Sequence, residues 1–524
     1  MSAPAKSLRA LLDGFAAVGA EQDREVRGLR LDSRRVEPGD LFIAVPGETS
    51  DGREHIAEAL RNGAVAVARQ SEANADAQAA LRQSDAPSFE IVDLKQRIGA
   101  IAARFFDHPS ANMQVIGVTG TNGKTTCAYL LAQALDRLGH RCALLGTLGA
   151  GFVGALRPAA LTTSDAIATH RALARLRAQG ADAACIEASS HGLDQGRVNE
   201  VAFDTALLTN FSQDHLDYHR SMLRYGRAKL RLFRCDGLRH AVINADDPFG
   251  RWLLRRLGRV QTLTYGIRDG AVRARGIESR ASDAHRRRGI EFEVAYQERA
   301  ATVRSPLIGA FNVCNLLAVI AVLLAGGHDL ARIVGVIGEC APPPGRMEWL
   351  PSSPTQPAVV IDYAHTPDAL RRALAALREL GGQHSGQKVW AVFGCGGERD
   401  CDKRPRMGRV AEALAGRVVL TDDNPRFEDP ARIVAQVARG MEREARVIHD
   451  RRRAIETAIA EADAGDIVLI AGKGHETTQT IGADARAFND RDIAAAVLAA
   501  TSGARASGAQ GSEARADRTQ VDRA

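Results

Sequence analysis

The sequence predicts an α/β protein of three domains, with a phosphate-loop nucleotide domain at its centre and a parallel-sheet domain towards its C-terminal end. Three observations predict it. At 524 residues the chain is about three ordinary domains long. An apolar run, a glycine turn and a helical pattern follow one another in MQVIGVTGTNGKTTCAYLLAQALDRL, Met113–Leu138. Beyond residue 343, short apolar runs alternate with helical segments, the pattern of a parallel sheet buried on both faces.

The first block, residues 1–111, ends where HPSANM interrupts the helical QRIGAIAARFF. The second, 112–342, opens on MQVIGV and closes at Pro342–Pro344, a run that fits neither a helix nor a central strand and so marks a linker. In the third, 343–500, strands are expected at Ala358–Asp362, Val389–Phe393, Arg417–Thr421 and Asp466–Ala471. The polar, Gly/Ala/Ser-rich 501–524 is expected to be a disordered tail.

Composition narrows the function classes. The chain is 45% hydrophobic and 25% charged, which is globular. Its 69 Lys and Arg against 63 Asp and Glu give +6, too small an excess to require nucleic acid but suited to anionic small molecules. With no apolar run of about 18 residues and no secretory leader, a cytoplasmic protein without a membrane span is expected. Eight scattered cysteines without a CxxC indicate reduced thiols rather than zinc or disulfides.

The turn GVTGTNGKTT puts Lys124 and Thr125 at a helix start, where free N–H groups and the helix dipole hold polyphosphate. Lys124 would reach the outer phosphates and Thr125 a magnesium ion. The motif departs from the strict phosphate loop, because Val118 stands five before Gly123. A turn that merely connects strand to helix leaves the GK-Thr-Thr run unexplained, so ATP binding is expected.

Downstream, DAACIEASSHGLDQGRV delivers Glu187 to the nucleotide side of the sheet, where a carboxylate suits magnesium. TALLTNFSQDHLDYH carries Asn210, Asp214, His215 and His219 after a further strand. Each alone suggests a loop or capping residue; their common position after a strand of the nucleotide domain favours function. Lys229, in YGRAKLRLF, is by itself an ordinary solvated helix lysine.

Ten ordered motifs (GVTGTNGKTT, EASSHGLDQGRV, TNFSQDHLDYH, YGRAKLRLF, GAFNVCNLLA, PPGRME, DYAHTPDAL, FGCGGERDCDKRPRMG, DNPRFEDP and AGKGHE) resemble the Mur ligase family over about residues 25–495. The closer resemblance is to its tripeptide-forming members. It implies an N-terminal domain for the UDP end, a central ATPase and a C-terminal Rossmann-like domain for an amino acid. The implied reaction is ATP-dependent addition of meso-diaminopimelate to UDP-N-acetylmuramoyl-L-alanyl-D-glutamate through an acyl phosphate, in cytoplasmic peptidoglycan precursor synthesis, by a monomer.

The resemblance also assigns residues. ATP would be held by Gly117, Thr119, Gly120, Thr121, Asn122, Gly123, Lys124, Thr125 and Thr126, with Asn312 near adenine and Arg346 on phosphate. Magnesium would take Thr125, Glu187, His215 and Lys229, the last as a carbamate, which turns an ammonium into an anion; a desolvated site favours the neutral amine this requires. Lys124, His215 and Lys229 are the implied catalytic residues. Leu31, Ser33, Glu48, Thr49 and Ser50 would hold the UDP end. Thr162, Thr163, Ser189, Gln195, Arg197 and Lys229 would hold the peptide-bearing sugar, although Thr162 and Thr163 equally fit an ordinary turn. Asp362 and His365, at a strand's carboxyl end, would face the interdomain cleft.

Diaminopimelate would meet Arg399, Asp423, Asn424, Pro425, Arg426, Gly472 and Glu476. An Arg in the DNPR form suits a second carboxylate. Two features depart from the pattern: Glu398 stands in GGERD where GGDRD is commoner, and Arg286–Arg288 lie in a basic segment that fits a solvated hairpin. Two rivals remain, a folylpolyglutamate-synthetase-like ligase and a non-catalytic nucleotide sensor. LDSRRVEPGDLFIAVPG and DNPR argue against the first, and the missing NKxD against the second.

Overall fold

The computed structural model describes residues 5–47, 50–70, 75–159, 161–282, 287–381 and 386–500. The chain divides into two compact units, one of Met1–Phe211, Leu223–Tyr265 and Ala321–His328, the other of Ser212–Met222, Gly266–Ile320 and Asp329–Ala524.

The first unit opens with a four-stranded parallel sheet of Gly28–Arg30, Asp40–Ala44, Ala66–Arg69 and Ser88–Glu90, in that order. Helix Leu94–Phe105 packs on it, and the same core takes in Ala166 and Ile167 of helix Ala166–Ala178. That helix starts where Asp165 accepts the Ala168 N–H. Its His170 is fully buried, with Nε2 3.0 Å from the Asn199 carbonyl. The first two sequence blocks therefore share apolar surface.

The larger sheet of this unit has parallel strands in the spatial order Cys142–Gly146, Ala183–Glu187, Gln114–Thr119, Thr205–Leu208, His240–Asn244 and Gln261–Gly266. Gly149–Phe152 and Ala155–Arg157 extend one edge antiparallel. The earliest strand lies third, so connections leave it in both directions, and ligands of such sheets bind outside the carboxyl end at that switch. There Thr119 runs into the glycine turn and helix Lys124–Leu138, which buries Leu131, Leu135 and Leu138 and stops at Gly139 with φ +102°.

An antiparallel meander of Val272–Ser282, Arg287–Tyr296 and Arg299–Ser305 opens the β-structure of the second unit. The strands of the basic segment pair antiparallel as a hairpin, and Arg286 lies outside the described residues. After the proline linker comes a six-stranded sheet in the order Glu348–Leu350, Ala358–Asp362, Ile467–Ala471, Val389–Phe393, Arg417–Leu420 and Arg446–Val447. Only its first pair is antiparallel.

The four expected strands stand within a residue of their predicted bounds. They are apolar on both faces, with Val360, Ala391 and Leu469 in one core and Val359, Val392 and Val468 in the other. Their carboxyl ends bring Asp362, Gly394–Arg399, Thr421–Arg426 and Gly472–Glu476 to one edge. The expected tail, 501–524, lies outside the described residues. All eight cysteines are free thiols, and among the described residues no helix is long and apolar enough to cross a membrane.

Candidate active site

In the phosphate turn Gly120 has φ +150°, and a Cβ there would come 1.9 Å from Thr209 Oγ1, so only glycine fits. Thr209 Oγ1 donates to the Asn122 carbonyl at 2.6 Å. Asn210 grips Asn122 twice, accepting its N–H and donating to its carbonyl, both at 2.9 Å. It also receives the Thr121 N–H on its own carbonyl, at 2.9 Å. Asn210 is thus a brace of the turn, and Thr209 beside it was missed by the sequence reading because a threonine ending an apolar run carries no distinctive signal.

Lys124 Nζ donates to the carbonyls of Gly120 and Thr121 at 2.9 and 2.8 Å. Lys229, from helix Met222–Leu230, is only 1% exposed; its Nζ donates to the same Gly120 carbonyl at 2.7 Å and sits 4.4 Å from the Tyr225 ring centroid. The solvated lysine suggested by sequence alone is therefore buried against the nucleotide turn, beside Thr121, whose Oγ1 lies 3.1 Å from Tyr225 Oη. Asn122, Gly123 and Lys124 are half-buried, whereas Thr125 and Thr126 are buried in the first helical turn.

Two of the residues expected at the nucleotide lie in the strand before the turn. Gly117 lies inside strand Gln114–Thr119, where a Cβ would meet Leu232 at 2.7 Å and Phe203 at 2.9 Å, so its glycine serves core packing. Thr119 ends that strand, with its side chain fully buried.

Glu187, also 1% exposed, ends strand Ala183–Glu187. Its Oε2 accepts from Thr125 Oγ1 at 2.8 Å and Thr147 Oγ1 at 3.1 Å, and its Oε1 from the Thr147 N–H at 2.8 Å. A Cβ at Gly146 would lie 2.1 Å from Oε1. Gly146 and Thr147 were likewise missed, since a glycine and a threonine after a strand are too common to signal a site.

A hydroxyl and a carboxylate beside the phosphate turn fit magnesium, which takes few protein oxygens and fills its octahedron with water and phosphate. Among the described residues no group of three or more His, Cys, Asp or Glu could hold a metal. His215 belongs to the second unit; it has φ +53°, and its Nε2 lies 3.4 Å from Asp214 Oδ2.

Five of the six residues expected around the peptide-bearing sugar cluster beside Glu187; the sixth, Lys229, bonds the phosphate turn. Thr163 Oγ1 donates to the Glu187 carbonyl at 2.7 Å and accepts the Ser189 N–H at 3.0 Å. Ser189 Oγ accepts the Gly192 N–H, capping the short helix after it. Arg197 donates to Gln195 Oε1 and to the Thr163 carbonyl, and Thr162 Oγ1 lies 3.1 Å from Thr147 Oγ1. Of the UDP residues, Ser33 is buried with Oγ donating to Glu58, Ser50 Oγ is 2.9 Å from His55 Nε2, and Leu31 is half-buried. Glu48 and Thr49 lie outside the described residues.

In the second unit, Asn312 donates to the Ile308 carbonyl just before its helix and accepts from Asn315 Nδ2 within it, both at 2.9 Å. The Arg346 guanidinium lies 4.3 Å over the Tyr363 ring. Burial, with Glu476 adding to it, pushes the Tyr363 hydroxyl up to about 12. Burial raises the Asp362 carboxyl against the pull of Arg346, and burial holds His365 below the usual imidazole range.

At the carboxyl edge of this unit's sheet, two turns pack backbone to backbone: a Cβ at Gly397 would lie 1.8 Å from the Pro425 carbonyl. Arg426 has φ +54°, and its Nη1 donates to the Gly397 carbonyl at 2.7 Å. Arg399 is exposed, on the same glycine turn. Asp423 and Asn424 are buried; a Cβ at Gly472 would come 2.5 Å from Asp423 Oδ2, and Asn424 Nδ2 donates to Glu476 Oε2 at 2.9 Å. Glu398 has φ +53°, a region that suits Asp better, so the departure at GGERD costs backbone energy as well as length.

Three buried cations at this edge were not among the expected site residues, although Lys473 lies in AGKGHE and Arg404 in FGCGGERDCDKRPRMG. Lys473 donates to Asn424 and Glu476, Arg404 forks onto both Glu428 oxygens at 2.6 and 2.7 Å, and Arg451 pairs with Asp490. Arg404 holds the Glu428 carboxyl down to about 2.

Three family models match the chain in order: Mur ligase family, catalytic domain, over 25–106; Mur ligase middle domain, over 118–323; and Mur ligase, glutamate ligase domain, over 345–474. The UDP-N-acetylmuramoyl-L-alanyl-D-glutamate--2,6-diaminopimelate ligase of Pseudomonas aeruginosa is 47% identical over 483 residues, covering 92% of this chain and 96% of its own. The enzyme of that name from Chromobacterium violaceum is 45% identical over 496 residues, covering 94% and 98%. A solved ligase of that name superposes with a TM-score of 0.67 at 36% identity, over 95% of this chain and 99% of its own. A MurF ligase from Thermotoga maritima in complex with ADP shares the fold, with a TM-score of 0.61 at 19% identity over 90% and 96%. On these matches, which run through all three sequence blocks, the chain belongs to the Mur ligase family.

Proposed function

We propose that this chain is the ATP-dependent ligase that adds meso-diaminopimelate to UDP-N-acetylmuramoyl-L-alanyl-D-glutamate. ATP transfers its γ-phosphoryl group to the terminal carboxylate of the UDP-linked dipeptide. The amine of the amino acid then attacks the acyl carbon and displaces phosphate. Lys124 offsets the charge gathered when two anions approach, and the turn from Gly120 to Thr126 holds the phosphates through its N–H groups. Magnesium, held with the nucleotide by Thr125 and Glu187, supplies charge neutralisation when bound.

Asn312 and Arg346 complete the nucleotide set on family grounds, as His215 and carbamylated Lys229 complete the metal set. Burial of Lys229 supports the carbamate, since a carbamate forms in a site shielded from bulk water. Thr162, Thr163, Ser189, Gln195 and Arg197 hold the peptide, and Leu31, Ser33 and Glu48–Ser50 the UDP end. Domains at 1–111, 112–342 and 343–500, a monomer and a cytoplasmic location complete the proposal.

The observation that carries the choice of amino acid is the pair Arg426 and Glu476. They are joined through Asn424 and Thr480, because Arg426 N–H donates to the Thr480 carbonyl, Thr480 N–H to Asn424 Oδ1, and Asn424 to Glu476. A cation and a carboxylate on one edge fit a ligand end that bears both an ammonium and a carboxylate. ADP release measured with each substrate omitted in turn tests the proposal. Release should require both the dipeptide and meso-diaminopimelate; equal release without either one rejects it.

A further inference from the structure

Lys473 follows the strand Ile467–Ala471 and is fully buried, an expensive place for an ammonium unless it is paired. Its Nζ donates to Asn424 Oδ1 at 3.0 Å and to Glu476 Oε2 at 2.9 Å. Both partners belong to the amino-acid set, whereas Lys473 is not one of the residues the family resemblance assigned.

The chemistry of the three side chains fixes one arrangement. Lysine only donates, whereas a carboxamide donates at one end and accepts at the other. Lys473 therefore forces the Asn424 oxygen towards itself, where the Thr480 N–H also donates at 3.0 Å. The Asn424 amide nitrogen must then face Glu476, to which it donates at 2.9 Å. Glu476 Oε2 thus receives two donors, from Lys473 and Asn424. The Glu476 side chain remains 30% exposed, against 0% for that of Lys473, so the carboxylate is anchored through one oxygen and turned outward.

We infer that Lys473 is a positioning residue of the amino-acid site: it sets the flip of Asn424 and pins one oxygen of Glu476, leaving the other to receive the ammonium of an incoming amino acid. It acts through Asn424 and Glu476 and touches no reacting atom. The inference rests on the reading of this edge as the amino-acid site.

Steady-state kinetics of Lys473→Met, Lys473→Arg and Lys473→Gln test it, alone and combined with Glu476→Gln. Lys473→Met should raise KM for meso-diaminopimelate at least about tenfold while kcat and KM for ATP and the dipeptide stay within about twofold. Arg, which also only donates, should recover most of that loss, and Gln, which donates or accepts, should not. In the Glu476→Gln background the same change should cost less than it does in the unchanged chain, because one of its two routes, that through Glu476, is already cut.

An unchanged KM for the amino acid, an equal rise in all three KM values, or a full additional loss in the double variant would overturn the inference. If the methionine variant does not fold, the Arg and Gln variants decide by the same comparison. Inactivity of the unchanged chain with meso-diaminopimelate would instead reject the underlying reading of the site.

Discussion

Around the phosphate turn of the first unit, Lys124 donates to two main-chain carbonyls. At the carboxyl edge of the second unit, Arg404 and Arg451 each meet a carboxylate. A carbonyl dipole orients a cation without cancelling its charge, so the charge remains for an anionic ligand. A carboxylate cancels it, and the buried pair becomes framework whose loss is costly. Arg426 stands in the second unit but follows the rule of the first, because its Nη1 rests on the Gly397 carbonyl. The partner atom thus separates cations that serve ligands from cations that hold the fold.

Breaking a carbonyl-tethered cation should cost activity and spare stability. Lys124→Ala is expected to lower turnover by about 3 kcal/mol or more, at least a hundredfold, with little change in melting temperature. Phosphate release and a thermal melt on the same sample check both halves. Lys229→Ala should be comparably inactive. If the residue works as a carbamate, short carboxylic acids should restore part of the rate to the alanine variant, whereas Lys229→Arg, which keeps a fixed cation in that space, should not respond. No rescue by any acid, with metal binding unchanged, would count against the carbamate.

Breaking a carboxylate-paired cation should do the reverse. Glu428→Gln leaves Arg404 buried without its counter-charge and should destabilise the protein by about 3 kcal/mol, read from urea unfolding at pH 7. Arg404 holds Glu428 down to about 2, so this stability is present above the usual carboxylate range and is lost as pH falls from about 4.5 towards 2. The variant's stability should therefore fall less steeply than that of the unchanged chain over that interval.

A smaller effect belongs to neither class. Burial holds His170 down to about 4, opposed by the Asn199 carbonyl and assisted slightly by His108. The unfolded chain binds this proton more readily, so stability is full above about 6.5 and falls by about 1.4 kcal/mol per pH unit as pH drops towards 4. His170→Gln should flatten that slope; an unchanged slope would contradict the assignment.

The same division explains what could be seen in the sequence. Main-chain sites leave a local signature, because close approach demands glycine and a helix start demands a defined neighbour; GTNGKTT was readable for that reason. The strands of the second unit were readable because burial on both faces leaves continuous apolar runs such as VWAVF and IVLIA. The pairing of Lys473, Arg404 and Arg451 was not, even where the residue lay in a quoted motif, since folding brings the carboxylate from 3, 24 or 39 positions away. Gly117 has a second reason to be glycine that the motif did not reveal: its missing side chain makes room for Leu232 and Phe203.

The central claim is that Arg426, tethered to a carbonyl and so still charged towards a ligand, selects an amino acid with a second carboxylate. Lysine in that site would leave the guanidinium unpaired, at a cost of about 2 to 5 kcal/mol. Steady-state kcat/KM for meso-diaminopimelate and for lysine, measured with the unchanged chain and with Arg426→Ala, tests it most directly. The account predicts at least about a thirtyfold preference for meso-diaminopimelate that largely disappears in the variant. Equal efficiency for the two amino acids, or a variant that keeps the full preference, would contradict it.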